Sequence, residues 1–392
     1  MHWFLMSMRR TFLLTAALLV VLPACASSSS TLSNSASARY RTLALVDANT
    51  GAVDRGFPDA NCAPYSAIAD GGGGWYIGGC FSRVGKVLRP GLAHLRSDGN
   101  VDTAFAPTLG RKHVVQILVR RDRVVYAGGD FGVIALDAKT GKRLWSSAIG
   151  GERVNGLAFE KGILYVSGSF ERIGGVASNG LAALDSRNGE PTEWRVAVTE
   201  LAPGWKKPEP AFGFGPIAVG GGAVFITGLF SSVYGVDRPL GIAAISPRTG
   251  RPTAWSPNHG NEPDDAYSIL ATHGQVLVGG KFGFAVYDAH TGRDLRWRNH
   301  LSGSSAVATE FAVSGDTVYL GAGTGYAGFN RAGGKRVNNL AAVRLPEGTF
   351  LNWRPILGRC VDVSAIAVSG SKVLVGGVFS QDPAGCASPS GG

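Results

Sequence analysis

Residues Val154–Trp194, VNGLAFEKGILYVSGSFERIGGVASNGLAALDSRNGEPTEW, contain four short apolar runs: Gly156–Phe159, Ile163–Gly168, Gly180–Asp185 and Pro191–Trp194. Turn-forming residues part them: Glu160-Lys161-Gly162, Ile173-Gly174-Gly175 and Ser186-Arg187-Asn188-Gly189. Runs of this length, rich in Val, Ile, Leu and aromatics and bounded by Gly and Asn, predict strands. None has the length or spacing of an amphipathic helix. Four such strands joined by tight turns form one antiparallel sheet.

The unit recurs along the chain. Its second run appears as Trp75–Gly79, Val125–Gly129, Leu164–Gly168, Val224–Gly228, Val276–Gly280, Val318–Ala322 and Val373–Gly377. Small residues at the end of the run let neighbouring backbones approach closely. A second signature is an acidic residue, then Gly, then an aromatic, as in Asp137…Gly141…Trp145 and Asp288…Gly292…Trp297. Asp bonding the backbone ahead of it and Gly at a positive-φ corner are hairpin chemistry. The closing aromatic is Phe105, Trp145, Trp194, Trp255, Trp297 or Trp353, and Phe57 supplies a seventh from the N-terminal segment.

The two ends of the repeat region are each half a unit. Val363–Val368 and Lys372–Val378 supply a first and second strand, and Leu43–Phe57 a third and fourth. Together they predict an all-β, seven-bladed β-propeller over residues 40–380, closed by pairing N-terminal and C-terminal strands in one blade. Closure also removes the long exposed edges of an open array.

The stretch Tyr76-Ile-Gly-Gly-Cys-Phe-Ser-Arg-Val-Gly…Gly91-Leu-Ala-His-Leu-Arg-Ser-Asp-Gly…Phe105 resembles the delta-60 repeat of bacterial β-propellers. Ala135–Trp145 and Val286–Trp297 are more similar to the quinoprotein (PQQ-like) repeat. The resemblance covers residues 40–380. It implies the propeller fold and leaves function open, since such folds serve many unrelated ends.

Residues 1–25 read as an export signal, with Arg9-Arg10 as basic region and Phe12–Leu22 as an apolar core too short to span a bilayer. Arg9-Arg10-Thr11-Phe12-Leu13 partly matches a twin-arginine motif, with ordinary secretion the alternative. Leu22-Pro23-Ala24-Cys25 resembles a lipobox, which makes Cys25 the expected lipidation site; plain cleavage around Ala24-Cys25-Ala26 is the other reading. A Ser-rich stretch follows, so residues 26–39 are expected to be a flexible tether and 381–392 a C-terminal tail. The expected place is the extracytoplasmic face of a membrane, or a secreted state.

An oxidising compartment makes the remaining cysteines a disulfide set. Cys62 and Cys80 flank the first two strands of blade one, and Cys360 and Cys386 occupy similar places on blade seven, which predicts the pairs Cys62–Cys80 and Cys360–Cys386. Pairing across the blade-seven/blade-one boundary is the alternative. A zinc site is disfavoured, because there is no CxxC and no His at ligand spacing.

The net charge is +10, and +8 once Arg9 and Arg10 leave with the signal. That balance favours anionic partners such as envelope polysaccharides, or is plain solubility charge. Export and the lack of a dense basic run argue against nucleic acid. The connections after second and fourth strands share one face and carry all the long insertions. Arg83, Arg89, Arg172, Trp205, Lys206, Tyr234, Arg238, His259, Tyr326 and Arg331 lie in them and are the candidate ligand-face residues.

Tests for chemistry are unproductive. Gly323-Thr-Gly-Tyr-Ala-Gly328 matches GxGxxG, but no helix follows to hold a pyrophosphate. Asp98-Gly-Asn-Val-Asp102 lacks the downstream Glu of a calcium loop and reads as a hairpin turn. GxSxG, P-loop and HExxH motifs are absent, and the acid pair Asp264-Asp265 reads as the start of a strand connection. The expectation is a non-catalytic binding or interaction scaffold at the cell envelope, without cofactor, whose partner is an envelope polysaccharide or a protein. The alternative is an exported enzyme, either a quinone-dependent dehydrogenase or a sugar-active lyase or oxidase.

Overall fold

The second run of every repeat becomes the second strand of a blade, flanked on both sides by antiparallel partners. The computed structural model describes residues 40–381 except 55, 111–112, 202–212, 239–240, 258–265, 281–282, 296–300, 303–307 and 324–327. The expected signal and tether therefore lie outside the described residues, as do Cys25 and Cys386. Among the described residues there is no helix, and the strands form seven blades.

Blade two is complete, with Val115–Arg121, Val124–Gly129, Gly132–Asp137 and Arg143–Ser147 in order from the inside out. Blade six is likewise four-stranded, from Glu310–Ser314 to Thr349–Phe350. In blades one, three, four and five the outermost strand shrinks to a single bridge, such as Leu184–Pro191 and Ile245–Pro252. The run Pro191–Trp194, expected as a strand, is thus mostly irregular. Proline has no N–H to continue a ladder, which explains the shortening in blades three and four.

Blade seven is built from both ends of the chain. Cys360–Ser369 is innermost, Lys372–Ser380 second, Arg41–Asp47 third and Val53–Asp54 outermost. The joining register sets Leu43 opposite Gly376, Leu45 opposite Leu374 and Asp47 opposite Lys372. The innermost strands then contact one another in turn around the ring, and Cys360–Ser369 meets Pro64–Ala69 of blade one to close it. Ser364 Oγ donates to Pro64 O across that seam at 2.6 Å.

Seven apolar clusters fill the seven spaces between neighbouring blades. Each blade buries a face against each neighbour, so no single core has to span the molecule. The small residues closing each second strand set the spacing. A Cβ on Gly78 would meet Val115 of blade two at 2.5 Å, and one on Gly376 would meet Pro64 of blade one at 2.3 Å.

The aromatics do more than fill space. Trp145, Trp194, Trp255 and Trp353 each donate the indole N–H to a carbonyl in the next blade, those of Ser186, Ser246, Asp288 and Asp47, at 2.9–3.0 Å. Tyr76 and Tyr319 donate from the second strand to Ala138 O and Ala48 O, again one blade on. Blades one, two, three, four and six are therefore clasped to the third-to-fourth turn of their successors. Trp297 lies outside the described residues.

Candidate functional site

The sequence marks the connections after second strands as long loops. Four of them are ordered hairpins of one design, in blades one, three, four and six. Arg83–Val84 pairs with Val87–Leu88, and the end of Ile163–Ile173 with Val176–Ala177. Phe230–Val233 pairs with Val236–Asp237, and Arg331–Ala332 with Lys335–Arg336. Each begins with a buried Phe, namely Phe81, Phe170, Phe230 or Phe329, which plugs the hairpin into the propeller body. Each ends on a positive-φ residue, Gly91, Gly180, Gly241 or Asn339, whose carbonyl accepts from the last residue of the second strand. Asn is the non-glycine residue best suited to that conformation.

The incoming connection from the preceding blade completes a small sheet on three hairpins. Ile149 pairs with Ile173, Val198–Leu201 with Phe230–Val233, and Leu301–Ser302 with Arg331–Ala332. In blade one the link is a single bridge, Ala60–Val84. Blade two instead turns directly through Asp130-Phe131, where the PQQ-like repeat has no room for a hairpin.

These hairpins fix the roles of the candidate residues. Arg238 is 5% exposed, and its guanidinium donates to Asp237 O and, at 2.8 Å, to Thr253 O of the outer run. Arg89 makes the same contact in blade one, with Thr103 O at 3.0 Å and Leu88 O at 2.9 Å. Both tie hairpin to outer edge through backbone carbonyls. Tyr234 turns the corner at φ 50°, donates to Arg195 O at 3.1 Å and lies under Arg251 at 4.6 Å. Arg172 and Arg331 are exposed and also brace their own turns, on Gly175 O and Gly334 O. Arg83 is exposed. Trp205, Lys206, His259 and Tyr326 lie outside the described residues. Among the described residues, Leu88 and Val236 are large apolar side chains exposed on hairpin arms, at 70% and 43%.

A disulfide joins Cys62 and Cys80, as expected. Cys360 is disulfide-bonded as well.

The inner ring holds one unusual group. Glu310 opens the innermost strand of blade six, and burial pushes its carboxyl well above the usual range. Among the described residues, no three His, Cys, Asp or Glu side chains gather where they would hold a metal ion.

On the opposite face lies a cluster that the sequence did not reveal. His94, in the third strand of blade one, hydrogen-bonds the Asp70 carboxylate through one ring nitrogen and the Asp102 carboxylate through the other, both at 3.0 Å, and stacks on Tyr76 at 4.4 Å. Burial raises the Asp70 carboxyl, but the Gly72 and Gly74 amides and His94 outweigh it and hold it below its ordinary value. Asp102 is likewise lowered, where Arg96 and His94 outweigh burial. Both ring nitrogens are taken up by the two carboxylates, so the cluster is a tie between turns. Asp102 faces His94 across a predicted hairpin and was within reach of sequence reasoning. Asp70, on a glycine-rich turn, was not.

The comparisons agree on this architecture. The family model described as outer membrane protein assembly factor BamB matches residues 105–337 and, in an overlapping second match, 178–378. No curated protein matches significantly. Among solved structures, the extracellular domain of BT4673 from B. thetaiotaomicron shares 14% identity at a TM-score of 0.53, covering 86% of this chain and 39% of that one. A chain of the mitotic checkpoint complex shares 12% identity at a TM-score of 0.51, covering 89% and 99%. Identities this low carry the fold alone. Seven blades in a closed ring, with the family model matched over more than half of the chain, place this protein in the PQQ-like propeller family of the outer membrane protein assembly factor BamB.

Proposed function

We propose that this protein is a non-catalytic interaction scaffold of the cell envelope, exported by residues 1–25, anchored through Cys25, and binding a protein partner with its hairpin-bearing face. The observation that carries the reading is the repetition of one rigid hairpin on a single face, in blades one, three, four and six. Rigid projections with exposed apolar tips suit a protein partner, since interface cores are apolar and preorganised. Membership in a family described as an assembly factor supports the same reading. Blades three and four lie across the ring from blade seven, and their hairpins carry Ala177 and Val236 exposed.

A photocrosslinker at Ala177 or Val236, set against one at Lys139 or Arg248 on the opposite face, tests this in intact envelopes. Discrete protein adducts are expected from the first pair and none from the second. Adducts from the opposite face alone, or a quinone absorbance band in the purified protein, would overturn the proposal. Cys25→Ala is expected to release the protein from the membrane fraction.

A further inference from the structure

The charge on the hairpin face is lopsided. Hairpin one (81–91) has three basic and no acidic residues, and so has hairpin six (329–340). Hairpins three (170–180) and four (230–241) each carry one acid and one base. The basic pair flanks blade seven, and the sector between them is physically continuous. Arg41 pairs with Asp59 at 2.9 Å, and Asp59 O accepts the Gly85 amide at the tip of hairpin one. On the other side Asn338 of hairpin six donates to Gly358 O at 3.0 Å, and Arg359 follows, its amide bonded to Ser380 O. Arg83, Lys86, Arg331, Lys335 and Arg336 are all exposed, as is Leu88 at an arm of hairpin one.

The N-terminal segment leaves from this same sector. Arg41 stands opposite Phe379 at the end of blade seven's second strand, so Tyr40 lies on the hairpin side of the ring, half exposed. The proposed anchor at Cys25 would attach the ring through this exit.

We infer that the basic sector over blades six, seven and one is a docking surface for anionic lipid headgroups, which supplements the lipid anchor and fixes the orientation of the propeller. Clustered Lys and Arg beside a membrane attachment are drawn to anionic headgroups, and a neighbouring apolar tip such as Leu88 inserts at the interface. The orientation rests on the proposed anchor, whereas the charge sector stands without it. The arrangement leaves hairpins three and four, on the far rim, for the protein partner.

The test uses the chain from residue 26 onward, which holds every strand of the ring and no lipid. It is sedimented with vesicles of phosphatidylcholine alone and of phosphatidylcholine with about one-quarter phosphatidylglycerol, at rising salt. Selective, salt-sensitive binding to the anionic vesicles is expected. Arg83→Gln, Lys86→Gln, Lys335→Gln and Arg336→Gln together should weaken it about fivefold per charge, on the order of several hundredfold at low salt. The matched set Arg123→Gln, Lys139→Gln, Lys161→Gln and Arg248→Gln on the opposite face should have little effect, with thermal melts confirming that both variants fold. Equal binding to neutral vesicles, or equal loss in both sets, would overturn the inference. Adducts at Ala177 and Val236 that persist after such a failure would leave the scaffold reading standing. Capture of a soluble acidic protein by this sector, without vesicle binding, would reassign the surface to a protein.

Discussion

Replacing Leu43 by Ala tests whether the N-terminal strand is a structural member of the ring. Leu43 is fully buried in the cluster between blades seven and one, with Leu45, Trp75, Ile77, Leu95 and Leu374. The change deletes three carbons, ~2.4 kcal/mol at ~0.8 kcal/mol each, and leaves a cavity in a packed site, so ~3 kcal/mol is expected. An unfolding entropy of ~2.1 cal/mol/K per residue over roughly 340 residues is ~0.7 kcal/mol/K, which makes the shift in Tm about 4 °C. Calorimetry of the chain from residue 26 onward measures it. Leu181→Ala is the control, since Leu181 has the corresponding third-strand place in blade three and is also buried. Similar losses in the two variants are expected. A full loss for Leu181→Ala with less than about 0.5 kcal/mol for Leu43→Ala would refute closure by the N-terminal strand.

Four further outcomes follow from the clasps, the disulfide and the charges. Trp353→Phe keeps the packing on Tyr319 but removes the 2.9 Å bond to Asp47 O, and should cost about 1–2 kcal/mol in denaturant titrations. Replacing Cys62 and Cys80 by Ser opens a link of sequence separation 18, and the loss expected is about 3 kcal/mol. Asp47 and Asp185 are held at about 2, chiefly by the Thr50 amide and by Arg187, below their unfolded values. Stability from these two is complete above the unfolded value and fades as pH falls from about 4 to 2, so Asp47→Asn with Asp185→Asn should flatten acid-side melts. Glu310 has the opposite sign: its raised carboxyl favours the fold at low pH and costs stability as pH rises through its folded value. Glu310→Gln should therefore raise Tm near neutral pH, by a margin that grows toward alkaline pH.

Periodicity carried the blade count, because each unit repeats the same four runs. The split of blade seven was legible because Leu43–Phe57 and Val363–Val378 are complementary halves. The Cys62–Cys80 pair followed from strand ends that antiparallel pairing brings together. Other features depend on contacts between units, which the sequence spacing does not encode. The closing tryptophans read as the end of each unit, and the bonds of their indoles to the next blade were not legible. Arg89 and Arg238 read as ligand residues because they stand in long insertions. The contacts of their guanidiniums with Thr103 O and Thr253 O were not legible there. His94 was opaque for the same reason, since Asp70 reaches it from a separate turn.

Blade seven takes its two innermost strands from Cys360–Ser380, which are synthesised after every other described strand of the ring. Until then Arg41–Asp47 has no partner on its inner side, although it precedes them all. Closure consequently waits for these strands, and a nascent chain that lacks them stays open at one joint. A product that stops short of residue 360 would leave Leu43, Leu45 and Trp75 uncovered, a hydrophobic mark by which quality-control proteases distinguish truncated from finished copies.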